Sequence, residues 1–307
     1  MNELGLFFNR YLKGKDNAWE KTPKVRWSAL QFGDREAIDD IVLEDFPAPT
    51  TEYRRLFLGD NKKLTASAPS TYQKISYDSE NRHSVDEFNY TFEKASRLIG
   101  LPKAVLYMSC EDRDDYTVFV ILRKKDKNGK DLMHLNFPFH ATPIKSIDHI
   151  PEAEQASLNL HLGSVGILRA SHREIDSSRS IHPQFPFHPH KRQDKVSPGT
   201  IVKLEIGIWA MGVDFEEGES ISVRVSNILH TAQYLNFTNS FQRLEVSIPA
   251  LPSINHSRIP DQSTSSIGAD MSSIVARYTP APSFCPSSEA CNLRRYFFGE
   301  FRSVCGG

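Results

Sequence analysis

Residues 200–209 read Thr-Ile-Val-Lys-Leu-Glu-Ile-Gly-Ile-Trp and decide the fold class. Apolar side chains alternate there with Lys203, Glu205 and Gly207, and a period of two is typical of a strand with one buried face. The segment Lys24–Leu30 alternates in the same way. Turn signals separate further short segments, many of them rich in β-branched and aromatic residues: Tyr53–Leu58, Val85–Phe92, Ala104–Cys110, Tyr116–Arg123, Ser164–Ala170, Ser220–Ser226 and Arg243–Ile248.

So many strands without long helices between them predict a mainly β protein, an antiparallel sandwich or jelly roll. The tetrapeptide Asp126-Lys-Asn-Gly129 predicts a hairpin turn, because Asn-Gly accepts the positive φ angles that such turns need. We also predict a short helix near Pro151–Leu158 and a polar loop broken by prolines at His182–Ser197. Residues 254–307 are rich in Ser and Pro and predict an irregular tail.

The first residues of the chain predict a helix rather than a strand. One face of that helix would be apolar, with residues at the spacing i, i+3, i+4, i+7 and i+8: Leu4, Phe7, Phe8, Tyr11 and Leu12. Gly14 is placed to end the helix. An apolar stripe needs something to cover it. We therefore expect this helix to pack on the residues that follow, or on a domain ahead of it.

Composition excludes several classes of protein. The 307 residues include 37 Lys and Arg and 38 Asp and Glu, which gives a net charge of −1. The net charge therefore provides no electrostatic attraction to nucleic acid or anionic lipid. Four cysteines are too few for a disulfide-dense secreted scaffold. The first ten residues do not read as a signal peptide, because Glu3 comes early and the apolar run before Arg10 is short. Localisation stays open, with the cytoplasm favoured.

The residues alone predict no catalytic, cofactor-binding or metal-binding site. Gly163-Ser-Val-Gly166 lacks the G-x-S-x-G spacing of a nucleophile elbow and predicts a turn into a strand. His182, His188 and His190 lie among prolines with no nearby cysteine, which favours packing within a loop over zinc binding. We expect His172, which follows a predicted strand, to be a hydrogen-bonded structural residue.

Two further groups of residues also have structural interpretations. The acidic run Glu111–Asp115 lacks the spacing of an EF-hand loop and predicts a solvated loop between two strands. Trp27 and Trp209 lie in alternating strands, so we expect both rings to be buried in the core rather than to form a sugar-binding platform.

Several segments, taken in order, carry a resemblance to a known family: Phe7–Asn17 with Lys21–Arg26, Phe46-Pro47 with Tyr53–Leu58, Leu168–Arg173 (Leu-Arg-Ala-Ser-His-Arg), Ser197–Trp209 with Val213–Glu219, and Ser247–Pro252. Together they resemble the C-terminal jelly-roll domain of Xaa-Pro dipeptidyl-peptidase and cocaine-esterase type serine hydrolases. The resemblance covers roughly residues 4–253. It implies a galactose-binding-like jelly roll at 25–253, a remnant helix and linker of an α/β-hydrolase domain at 1–24, and a low-order tail at 254–307.

The sequence departs from the family pattern at Asn9, where Asp is usual, at Ala210, where Pro is usual, and at Ser220 and Ile221. In that family the Ser, Asp and His of the triad lie upstream of the helix, and no position here matches a triad motif. The resemblance therefore implies a non-catalytic domain whose partner is an α/β-hydrolase domain, or a second copy bound through the helix at residues 3–13. Neither a cofactor, nucleic acid nor a membrane is expected.

Two alternatives stay open at this point. The chain could be a stand-alone carbohydrate- or ligand-binding jelly roll, since such folds host many functions. It could also be an interaction domain that docks through its exposed helix. These residues do not indicate the substrate of any parent enzyme, nor whether that substrate is a peptide or an ester.

Overall fold

Short strands and one helix make up the regular structure of the computed structural model, which describes residues 3–70, 73–78, 85–151, 160–226, 244–248 and 276–278. The helix is α1 (Glu3–Tyr11). The strands are β1 (Val25–Ala29), β2 (Ile38–Leu43), β3 (Glu52–Tyr53), β4 (Phe57–Leu58), β5 (Leu64–Thr65), β6 (Gln73–Tyr77), β7 (Asp86–Thr91), β8 (Ser96–Gly100), β9 (Lys103–Cys110), β10 (Thr117–Lys125), β11 (Asp131–Leu132), β12 (His134–Leu135), β13 (Leu160–His161), β14 (Ser164–Arg169), β15 (Val202–Gly207), β16 (Met211–Phe215), β17 (Ser220–Ser226), β18 (Leu244–Ile248) and β19 (Ala276–Tyr278).

Two antiparallel sheets form the body of the sandwich. In the first, β10 pairs with β17, β17 pairs with β7, and β14 and β11 pair with β10. The second has the order β15-β9-β18-β6. A third sheet has the order β16-β8-β19-β3, and three pairs of strands complete the described part: β1–β2, β4–β5 and β12–β13. The prediction of a mainly β, antiparallel sandwich with a helix in front is confirmed.

The core lies where the two large sheets face each other. Every second residue of the strands on both sides is buried there: Val118, Val120 and Leu122 of β10, Val223 and Val225 of β17, Ala104, Leu106 and Met108 of β9, and Leu204 and Ile206 of β15. Each large apolar side chain moved from water into such a core stabilises the fold by about 1.5–3 kcal/mol. The alternation seen in the sequence is therefore the inward face of each sheet.

Several local predictions agree with the structure, but the sequence analysis did not predict β2, β6, β8 or β16. Gly129 closes the β10–β11 hairpin with a φ angle of 83°, and Asp126 Oδ1 accepts hydrogen bonds from the Asn128 and Lys130 amides at 2.8 Å each. The predicted strand Tyr53–Leu58 is in fact two short strands, β3 and β4. The predicted helix at 151–158 and most of the tail at 254–307 lie outside the described residues.

A buried ion pair joins the body of the sandwich to its N-terminal segment. Lys124 on β10 is 1% exposed, and its Nζ lies 2.7 Å from Glu219 Oε2. The same ammonium donates to the backbone oxygens of Gln31 at 2.8 Å and Asp214 at 2.7 Å. Burial lowers the pKa of Lys124, and the bond to Glu219 opposes that shift. All three hydrogens of the ammonium thus have partners on three separate segments.

Neutralising Glu219 should destabilise the fold strongly. The substitution Glu219→Gln leaves the Lys124 ammonium buried without a countercharge, which costs about 3–5 kcal/mol in comparable cases. The matched control is Glu216→Gln, because Glu216 also pairs with Arg35 but is exposed; it should cost at most about 1 kcal/mol. Urea unfolding at pH 7 measures both changes, and equal losses would contradict this assignment.

Candidate functional site

The motif Leu168–Arg173 closes around one buried carboxylate. Asp115 is 2% exposed and accepts hydrogen bonds from Arg169 Nε at 2.6 Å, Ser171 Oγ at 2.8 Å and the Ser171 amide at 3.0 Å. Arg173 binds back to the oxygens of Ala170 and Asp194 at 3.1 and 2.6 Å. The motif therefore fastens the end of β14 to the loop before β10.

The acidic run is thus only partly the solvated loop that we predicted. Glu111, Asp112 and Asp114 are exposed, but Asp115 is buried, because Arg169 and Ser171 supply its charge partner and its donors. Burial raises the pKa of Asp115, but the hydrogen bonds from Ser171 and Arg169 outweigh that effect, so the pKa lies below its usual value. Sequence spacing could not show this, because the partners lie more than fifty residues away.

No hydroxyl group in these motifs is placed to act as a nucleophile. Ser164 lies in β14 opposite Leu122 and is 6% exposed. Ser171 is 1% exposed and its hydroxyl group already donates to Asp115. A nucleophile must reach its substrate and have a base within hydrogen-bond distance. In the described part of the chain these two serines have structural positions.

The histidines of the loop at 182–197 contact the loop itself and the segments beside it. The Gln184 amide donates to His182 Nδ1 at 3.1 Å, and burial lowers the pKa of His182, helped by the charge of Lys103. His188 Nδ1 and Nε2 lie 2.9 and 3.1 Å from the Glu174 and Glu205 carbonyl oxygens. Within the described ranges, no group of three His, Cys, Asp or Glu side chains is arranged to hold a metal ion.

The structure brings His172 beside His190, with ring centroids 4.8 Å apart. Nδ1 of His172 is buried without a hydrogen-bond partner in the described region. The hydrogen bond that we expected to hold this ring is therefore not seen at that nitrogen. Burial lowers the pKa of His190, and the neighbouring rings of His172 and His188 lower it further.

The two tryptophans of the alternating strands have different surroundings. Trp27 is half-buried and packs on the small apolar cluster that contains Leu43 and Ile99. Trp209 is 72% exposed, so the prediction that its ring is in the core is wrong. The reason is one of register: Val202, Leu204, Ile206 and Ile208 fill the inward positions, and Trp209 comes directly after that row and points outward.

Helix α1 presents a second exposed apolar surface. Its polar side is fastened to the chain, because Arg26 forms two hydrogen bonds of 2.8 Å with Glu3, and Arg10 pairs with Glu20. Its apolar side is open: Phe8 is 48% exposed, Tyr11 64% and Leu12 75%. None of the residues of α1 is buried. We call this surface, formed by Phe7, Phe8, Tyr11 and Leu12, the α1 apolar face.

The end of α1 follows the sequence prediction. Gly14 has a φ angle of 62°, and its amide donates to the Arg10 oxygen at 3.1 Å. This left-handed conformation, which glycine adopts without steric cost, turns the chain out of the helix. In the described part of the chain Trp19 packs on Phe7, while Phe8, Tyr11 and Leu12 stay exposed. None of the described helices is long and apolar enough to span a bilayer.

Comparison with known proteins identifies the family to which the chain belongs. Residues 17–230 match the sequence profile of the X-Pro dipeptidyl-peptidase C-terminal non-catalytic domain, and the chain belongs to this family. The resemblance that we drew from its motifs is thereby confirmed. The chain has no significant sequence match among curated proteins.

Solved structures agree with this assignment. Two crystal structures of a CocE/NonD family hydrolase from Staphylococcus aureus match 80% of the chain, each with a TM-score of 0.63, at 29% and 27% sequence identity. The chain spans 43% and 42% of the length of those two proteins. It is therefore similar to less than half of each relative.

Removing the charge of Asp115 should weaken the fold in a pH-dependent way. A carboxylate with a depressed pKa stabilises the native state above its unfolded pKa of about 3.9, and that contribution is lost as the pH falls through the folded value. We expect Asp115→Asn to cost about 2 kcal/mol at pH 7 and less below pH 4. Asp114→Asn is the control, since Asp114 pairs with Lys195 at the surface. Chemical unfolding at several pH values would contradict the assignment if the cost of Asp115→Asn did not shrink in acid.

Proposed function

We propose that this chain acts as the C-terminal module of an Xaa-Pro dipeptidyl-peptidase or esterase-like serine hydrolase. In this proposal the α1 apolar face is the surface that an α/β-hydrolase domain covers. The observation that carries it is the orientation of α1, whose polar side is tied to the jelly roll while Phe8, Tyr11 and Leu12 face outward. The limited share of the relatives that the chain covers also supports it.

The proposal assigns different tasks to the parts of the chain. Residues 1–24 would be the helix and linker next to the hydrolase domain, residues 25–253 the jelly roll, and residues 254–307 a tail. The jelly roll would support the shape of the hydrolase and complete its substrate pocket. In the reaction expected of the whole protein, a serine attacks a carbonyl group, a histidine moves the proton, and backbone amides bind the oxyanion.

Self-association is a second use for the same surface. Two copies of the chain could cover each other's α1 apolar face, because exposed apolar patches of this kind mark interaction sites. Light scattering separates the two uses: a monomer at high concentration counts against a homo-oligomer.

The chain by itself should hydrolyse neither an Xaa-Pro dipeptide anilide nor an ester. Ser164 and Ser171, the serines of the two motifs considered above, are buried, and no triad motif occurs in the sequence. The measurement is release of a chromophore by the purified chain, with and without a serine-directed inhibitor. Turnover that the inhibitor abolishes would overturn the proposal. An in-frame stretch upstream of Met1 that encodes a G-x-S-x-G elbow and a later histidine would support it.

Polar substitutions on the α1 apolar face should remove an accessible apolar surface without unfolding the chain. For Phe8→Ser with Leu12→Ser we expect a change in the free energy of unfolding within about 0.5 kcal/mol for each substitution, and a clear fall in the binding of a hydrophobic dye. Val42→Ser is the control, because Val42 is 58% exposed and lies on β2 rather than on the α1 apolar face. Unchanged dye binding in the α1 variant would show that this face is covered in solution.

A further inference from the structure

A cavity of about 330 Å³ opens at the surface beside β14 and β15 and is walled by the loop that follows residue 180. Three of its lining side chains are large, apolar and exposed: Ile167 at 53%, Ile181 at 81% and Trp209 at 72%. These residues come from β14, the loop and the end of β15. Exposed apolar groups that converge on one opening mark a binding site more often than scattered ones do.

Two glycines shape the inner part of the cavity. A Cβ on Gly166 would lie 2.8 Å from the Gly207 oxygen, and a Cβ on Gly207 would lie 3.0 Å from the Phe185 ring. Both glycines line the cavity. Because they have no side chain, the backbone at these positions approaches its neighbours closely. A side chain at either position would take up the space or push the loop outward.

The loop wall is held in place without a ligand. The Phe187 amide donates to Ser180 Oγ at 3.0 Å, and the Phe187 oxygen accepts from the Asp176 amide at 2.9 Å. Both ring nitrogens of His188 lie within hydrogen-bond distance of carbonyl oxygens, on Glu174 and on Glu205. A wall fixed in this way loses little conformational entropy when a ligand binds.

One cation stands at the cavity. The guanidinium carbon of Arg179 lies 4.0 Å from the centroid of the Phe187 ring. Stacking uses one face of the guanidinium group and leaves its in-plane N–H donors available for a carboxylate. In the described region the Arg179 side chain forms no hydrogen bond or ion pair. Its charge attracts the nearby Asp176 carboxylate, whose hydrogen bonds come from Ser178. The described lining contains no carboxylate.

We propose that this cavity binds a small apolar carboxylic acid. The aryl or branched alkyl part would lie between Ile167, Ile181 and Trp209, and the carboxylate would accept two hydrogen bonds from Arg179. The volume is within the range of small-molecule sites. The site shares no residue with the α1 apolar face, so it stands or falls independently of the function proposed above.

Calorimetric titration of the full chain with phenylacetate tests this proposal, with phenylacetamide as the neutral isostere. We expect saturable binding of phenylacetate, and binding of the amide weaker by at least about tenfold, because the charge-assisted bonds to Arg179 are lost. Arg179→Gln should weaken phenylacetate binding by about the same factor and leave the amide unchanged. Trp209→Ala should weaken both ligands.

Arg192→Gln is the matched control, because Arg192 is an exposed arginine of the following loop that pairs with Glu174 and does not line the cavity. Its affinity for phenylacetate should equal that of the unmodified chain, and thermal unfolding verifies that every variant is folded. Three results would overturn the proposal: no saturable binding of phenylacetate, equal affinity for acid and amide, or an Arg179→Gln variant that binds phenylacetate normally.

Discussion

The ammonium group of Lys124 is buried in the sandwich, where removing a charge from water costs free energy. Three segments of the chain are arranged around this group and supply its partners. Because the group is 1% exposed, it must find its partners inside the protein: Glu219, the Gln31 oxygen and the Asp214 oxygen. Those partners bring the turn before β17 and the segment after β1 onto β10. The Leu30 amide then donates to the Gly212 oxygen at 2.8 Å, which lays the N-terminal segment along β16.

The family motifs have the same kind of role. Asp214, within the segment Val213–Glu219, forms two hydrogen bonds with Arg97 at 2.5 and 2.7 Å. Burial raises the pKa of Asp214, and the bonds from Arg97 and Gln31 more than compensate, so the carboxyl stays charged and its pKa is lowered. Leu168–Arg173 is organised around Asp115 in a similar way. These motifs join distant strands through a buried carboxylate, Asp115, and a half-buried one, Asp214, which agrees with a family described as non-catalytic.

The α1 apolar face and the cavity beside Trp209 are both exposed, and these two surfaces differ in kind. The α1 apolar face lies on a helix whose polar side is tied to β1 through Arg26, and it would suit a large partner. The cavity beside Trp209 is concave, has a rigid wall and contains one arginine, and would suit a small anion with an apolar part. The first surface is the one that we propose a hydrolase domain covers. The second is a property of the jelly roll itself.

Several strands, the β10–β11 hairpin and the end of α1 could be predicted from the sequence, because each depends on neighbours a few residues away: the period of two, the Asn-Gly turn and the left-handed Gly14. Strands β2, β6, β8 and β16 were not predicted. The sequence motifs were also sufficient to identify the family. The burial of Asp115 and the exposure of Trp209 became visible only in the folded structure. Those outcomes depend on residues far away in the chain, on Arg169 and Ser171 for one and on the register of β15 for the other, and local periodicity carries no information about such contacts.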